Sequence, residues 1–169
     1  MNTYRCKTCN ELHEGPPLGY GAKTPTAYQA VPKADQETKC SITEDQCIIY
    51  DKYFFILGNI FLPIIGSEET FNWTVWISLS EENFFRSSEL WDETGRENEP
   101  PYFGWLSTSL PIYPDTINLK ADVHTQPVGE RPTIVLQSND HPLVKEQENG
   151  ITMDRVEEIA SFLLHNKDG

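Results

Sequence analysis

Two cysteines two residues apart, Cys6 and Cys9, followed by His13, are the sharpest chemical signal in the chain. That spacing lets one tight turn aim both sulfurs at a single ion. Zinc accepts thiolate and imidazole in tetrahedral geometry. The other cysteines, Cys40 and Cys47, can supply what remains, although neither belongs to a second Cys-x-x-Cys. Four protein ligands would leave no open position for water. Such a site is structural, and its binding energy counts as folding energy. Two other readings compete, free thiols and redox chemistry. A thioredoxin-like motif belongs between a strand and a long helix. Glu14–Pro32, with three glycines and four prolines, does not provide that setting.

A second set of chemically capable residues lies late in the chain. His124 and Arg131 flank the turn Gln126–Pro132, and Asp140 and His141 open a helix. If the turns meet, these side chains can bind an anion or exchange protons. The plainer reading pairs Arg131 with one of many acids and has His141 satisfy backbone groups at the helix start. Ser78 and Ser80 follow no Gly-x-Ser-x-Gly elbow, and no glycine-rich phosphate loop occurs. No residue is assigned as catalytic.

The elements that must position these groups are legible by periodicity. Phe71, Trp73, Val75, Ile77 and Leu79 alternate with polar residues and Trp76, which predicts a strand with one face on a core. Trp76, on the other face, must be covered by a helix or lie in an exposed patch. Tyr4–Cys6 reads as a short strand running into the cysteine turn. Glu14–Pro32 reads as a surface loop, with a short helix over Thr26–Ala30. Cys47–Tyr50 and Tyr53–Ile65 form a hairpin, with a bulge or kink at Gly58 and an end near Pro63. Ser80 caps a helix over Glu81–Trp91, where Glu81 and Glu82 suit the positive end of the dipole; Gly95 is its stop. Tyr102–Leu110, Ile117–Val123 and Thr133–Gln137 are further strands. Pro142 starts a helix that ends at Gly150. Thr152 caps the last helix, Met153–Asn166, with Val156, Ile159, Ala160 and Leu163 on one side.

Composition removes several function classes. Thirteen basic and 26 acidic residues give a net charge of −13 in 169 residues. Nucleic acid as a partner is excluded, because phosphate binding needs a basic footprint. An acidic face can steer a basic partner protein. Glu81–Glu99, with seven acids and two arginines, is the best candidate for such docking. No apolar run is long enough to span a membrane, and Met1–Cys9 is too polar for a signal peptide. The expected location is cytoplasmic.

Several motifs, weak singly, are specific together. They are Cys6-x-x-Cys9-x-x-x-His13, Asp45-Gln46-Cys47-Ile48-Ile49, Phe55-Ile56-Leu57-Gly58 and Trp73-x-x-Trp76-x-Ser78. Further along come Ile112-Tyr113-Pro114-x-Thr116-x-x-Leu119-Lys120, Gln126-Pro127-Val128-Gly129-x-Arg131-Pro132 and His141-Pro142-Leu143-x-x-x-Gln147. With them the chain resembles, over nearly its whole length, a bacterial family of uncharacterised proteins, domain of unknown function 2199. The resemblance implies a metal quartet of Cys6, Cys9, His13 and Cys47, with Cys40 a bystander. Asn10 departs from the glycine usual after the second cysteine, but Asn tolerates left-handed backbone. No activity comes with the resemblance.

The expected fold is α+β: a single domain, residues 1–169, with a mainly antiparallel sheet of about five to seven strands and packed helices. Within it, 1–47 is a metal-clipped, zinc-knuckle-like segment and loop, 48–138 a β-rich core, and 139–169 the C-terminal helices. The expected function is a non-enzymatic binding protein with a structural zinc, one version being immunity-like masking of a basic partner. The alternative is an enzyme acting on a small anionic ligand through His124, Arg131 and His141.

Overall fold

The computed structural model describes residues 3–165. In chain order its elements are β1 (Thr3–Arg5), β2 (Leu12–Glu14), β3 (Gly19–Gly21), α1 (Thr26–Gln29), α2 (Lys33–Thr38), β4 (Cys40–Ile42), β5 (Gln46–Ile49), β6 (Tyr53–Pro63), β7 (Thr70–Leu79), α3 (Glu81–Glu89), β8 (Tyr102–Leu106), β9 (Lys120–His124), β10 (Thr133–Leu136), α4 (Pro142–Asn149) and α5 (Met153–His165). A short 3-10 turn, Arg96–Asn98, precedes β8.

The fold is α+β and mainly antiparallel, as the patterning predicts, and the sheet also closes on itself. β6 and β7 pair along ten residues, Phe54–Pro63 against Thr70–Leu79. β8, β9 and β10 continue antiparallel from β7. β10 then meets β6 in parallel through a single pair, Thr133↔Asn59. Five strands thus make a small barrel, with β3 added on β7 and β5–β4 on β6. Closure removes the exposed edges that a flat sheet of these strands would carry.

Alternation decides what fills the barrel. Phe71, Trp73, Val75, Ile77 and Leu79 of β7 all join the main core, with Ile56 and Ile60 of β6 and Val123 and Ile134 opposite. Phe84 of α3, Leu143 and Val144 of α4, and Val156 and Ile159 of α5 pack onto the same core. The second face of β6 and β7 is buried too, which explains the unbroken apolar run of β6. Phe55, Leu57 and Trp76 lie there with Val31, Cys47 and Ile49. Trp76 is therefore covered, under the α1–α2 segment, and its indole N–H donates to the Ala22 carbonyl at 3.0 Å.

Several boundaries shift for identifiable reasons. Gly58 makes no bulge: its ladder pairing with Val75 is regular. It is needed because an added Cβ would lie 2.6 Å from Ile134 Cδ1 and 2.9 Å from the Pro132 carbonyl. α3 starts as predicted, with the Asn83 N–H donating to Ser80 Oγ at 3.1 Å. It stops at Glu89, well before Gly95, which instead takes the left-handed backbone before the 3-10 turn. β8 ends at Leu106, because the chain turns so that the Ser107 N–H donates to the Trp76 carbonyl. β9 begins only at Lys120, after Asn118 takes a φ of 68°. α4 and α5 follow the predicted signals, with Gly150 ending the first and Thr152 Oγ accepting from the Arg155 N–H. Asn166, the expected end of α5, lies outside the described residues. β3 and β4 carry no alternation that would have announced them. No helix among the described residues is long and apolar enough to cross a membrane.

Candidate metal centre

β1 and β2 form an antiparallel hairpin with Tyr4 opposite His13. The segment between them is a turn that the cysteines need. The Cys6 N–H donates to the Glu11 carbonyl at 2.8 Å, and the Asn10 N–H donates to the Cys6 carbonyl at 2.9 Å. Asn10 sits at φ 62°, in the left-handed region that a glycine or asparagine tolerates. Arg5 closes the loop by donating to the Asn10 carbonyl at 2.7 Å.

The hairpin rests on the last two turns of α5. Tyr4 and Cys6 pack with Ala160, and Leu164 lies against them. The Lys7 N–H donates to Ser161 Oγ at 2.9 Å. One helical turn beyond Ser161, on the same face, stands His165. Its Nε2 lies 3.2 Å from Cys6 Sγ, while His13 Nε2 lies 3.3 Å from Cys9 Sγ. One ligand atom from each of Cys6, Cys9, His13 and His165 falls within a group no wider than 4.8 Å.

That donor set suits a metal. Tetrahedral bonds of about 2.0–2.3 Å put ligand atoms about 3.3–3.8 Å apart, and the two sulfur–nitrogen approaches fall close to that range. Electrostatics at Cys6 favour the ligating thiolate. Burial alone pushes the Cys6 thiol up. The backbone N–H groups of Cys9 and Thr8, helped by Ser161 and the Cys9 thiol, outweigh it and bring the thiol down to about 6. The Thr8 N–H, for instance, donates to Cys6 Sγ at 3.4 Å. Cys6 is buried and Cys9 exposed, so the centre lies at the surface with one side open.

The structure brings Cys6, Cys9 and His13 together as their spacing predicts, and it puts His165 in the fourth place. Cys47 stands apart from the group. It is fully buried in the second apolar cluster among Val31, Phe55, Leu57 and Trp76. There burial, with Cys40 adding to it, pushes its thiol up to about 12, away from the thiolate a metal needs. Cys40, paired with Ile49 across β4–β5, packs against the same apolar cluster. His165 lies 152 residues beyond His13, so no spacing rule around the Cys6–His13 motif reaches it. The signal that could have found it is Ser161-x-x-x-His165, two polar groups one turn apart on a helix flanked by Ala160 and Leu164.

The late set does not converge. His124 ends β9 opposite Thr133, and Arg131 pairs with Asp45 at 2.7 Å. Asp140 and His141 lie beyond the far end of β10, a strand that spans roughly 13 Å. Both nitrogens of His141 are occupied. Nδ1 accepts from the Leu143 N–H at 3.0 Å, capping α4, which leaves Nε2 to donate to the Pro114 and Asp115 carbonyls at 3.1 and 3.0 Å.

Comparison with family models matches residues 5–151 to a family described as an uncharacterized protein conserved in bacteria (DUF2199). The matched span holds Cys6, Cys9 and His13 and ends before α5, which carries His165. Comparison with curated proteins and with solved structures gives no match.

Proposed function

The chain belongs to this family of uncharacterised bacterial proteins, and we propose that it is a non-enzymatic binding protein whose Cys6, Cys9, His13 and His165 hold a structural zinc. The observation that carries this reading is the complete set of four soft and borderline donors, drawn from both ends of the chain, within 4.8 Å. Two thiolates and two imidazoles fill a tetrahedron, so no position remains for water or substrate. On this reading residues 1–47 are clipped by the metal to 139–169, and residues 1–169 act as one unit around the barrel.

The binding role rests on charge. A net −13 gives a field that attracts a basic protein, and masking of a basic toxin or enzyme is one version. A reducing, cytoplasmic setting would keep the Cys6 and Cys9 thiols unoxidised for the metal.

Metal analysis of purified protein tests the zinc: one ion per chain is expected, with two sulfur and two nitrogen neighbours by X-ray absorption. His165→Ala should lower the metal content and Cys47→Ser should not. The reverse order would overturn the ligand set. Pull-down from native lysate at low and high salt tests the docking role, and the absence of any partner at both salts would count against it.

A further inference from the structure

Because β10 meets β6 at one residue pair only, the barrel wall has a seam. The loop 125–132 lines an open cleft of about 660 Å³ beside it, the size range of small-molecule sites. Three of the chain's exposed large apolar side chains converge there: Trp91, Phe61 and Val128, each about 40–45 % exposed. Deeper in the lining sits Tyr102, only 6 % exposed, whose hydroxyl is buried with no hydrogen-bond partner. Glu99 and Thr125 lie near enough to bear on its proton, yet neither closes a hydrogen bond. Burial, then Glu99, push that phenol up from its ordinary value, so it stays a donor. A buried donor without an acceptor is costly unless something supplies one.

The charges around the seam decide what that something is. Arg96 lines the cleft, but its guanidinium donates to the carbonyls of Trp91, Gln126, Pro127 and Glu130. Arg131 is matched by Asp45 at 2.7 Å. Asp92 and Glu130 also line the cleft, and among the described residues neither forms an ion pair. The lining thus sets Asp45, Asp92 and Glu130 against Arg96 and Arg131, and a carboxylate or phosphate would meet net negative charge there. Aromatic walls and a lone donor suit a flat ring with an acceptor atom, and the surplus negative charge disfavours an anionic one.

We propose that the seam binds a neutral planar nitrogen heterocycle, held against Trp91 and Phe61 and accepting a hydrogen bond from Tyr102. None of the seam's lining residues belongs to the Cys/His group, so the site is independent of the metal reading.

Quinoline and quinoline-2-carboxylate, the same ring without and with a negative charge, are the probes. Titration of the full, metal-loaded chain is followed by amide shifts in two-dimensional NMR. Quinoline is expected to shift residues 91–96 and 123–133 saturably, and the carboxylate to bind at least about tenfold more weakly. Tyr102→Phe should weaken quinoline about fivefold. It removes only an unpartnered hydroxyl, so the fold should survive. Trp91→Ala, at a half-exposed position, should weaken quinoline at least as much and serves if the first variant does not fold. No saturable shifts in the seam, equal binding of the carboxylate, or indifference to the folded variants would overturn the proposal.

Discussion

On the proposed zinc reading, removing the metal should release the N-terminal hairpin while the barrel stays folded. Ordering Thr3–Glu14 costs about 1–2 kcal/mol per residue, on the order of 15 kcal/mol for the segment. The hairpin buries one large side chain, Tyr4, against Ala160 and Leu164, which contributes about 2–3 kcal/mol. Its backbone bonds, in the three register pairs of β1 with β2 and in the Cys6–Glu11 and Asn10–Cys6 turn, net about 1 kcal/mol each. These contacts fall short of the ordering cost by several kcal/mol, a gap that the about 10–16 kcal/mol of a structural zinc would close. The barrel has no such deficit, with Phe71, Val75, Trp76 and Ile77 fully buried. Hydrogen exchange reads the difference directly. The amides of Cys6, Lys7 and Asn10, hydrogen-bonded to Glu11, Ser161 and Cys6 respectively, should exchange at nearly unfolded rates after chelation. Amides of β6 and β7 should keep their protection. His165→Ala should reproduce the effect without chelator. Protection of the hairpin that persists in chelator would refute the reasoning, as would melting of the barrel together with it.

Four further outcomes follow from the structure. Cys47→Ser places a hydroxyl among Val31, Phe55, Leu57 and Trp76 and should cost about 1–3 kcal/mol in urea denaturation. The Cys47 thiol also predicts an alkaline effect, since burial raises it from 9.0 to about 12. Between those values the unfolded chain has lost a proton that the folded chain keeps, so stability falls as pH rises, by up to about 1.4 kcal/mol per unit. Cys47→Ala should flatten that slope in denaturation curves at pH 9–10. Gly58→Ala drives a methyl into Ile134 and the Pro132 carbonyl and should cost about 1–3 kcal/mol, visible as a lowered melting temperature. Ser80→Ala leaves the Asn83 N–H without its acceptor and should cost about 1 kcal/mol by the same measurement.

The strands of the barrel were legible because each carries its own signal. Period-two alternation in Phe71–Leu79 needs no partner to be read, and neither do the Ser80 cap or Pro142 at the start of α4. Closure was not legible. It depends on one pair, Thr133↔Asn59, and on a glycine at position 58 whose role is to let Ile134 approach. From sequence that glycine reads equally well as a kink. β3 and β4 are edge strands of three residues each, too short for any period to show. Their pairing is dictated by the neighbours they lie on.

The candidate metal site shows the same division between local and distant information. Cys6, Cys9 and His13 are set by one turn and one hairpin, so spacing alone predicts them. The fourth member of the group, His165, is placed only when α5 packs, and α5 packs through Val156 and Ile159 on the barrel core. Cys47 is the fourth ligand that the family resemblance implies, and its sulfur is the softer donor. What disqualifies it is its surroundings: a thiol enclosed by Phe55, Leu57 and Trp76 cannot shed its proton cheaply. His165 has the opposite environment, exposed at a helix end beside a thiol already biased toward the anion. A ligand must be deprotonated and reachable before it is soft. Burial therefore discriminates between candidates that residue type ranks the other way.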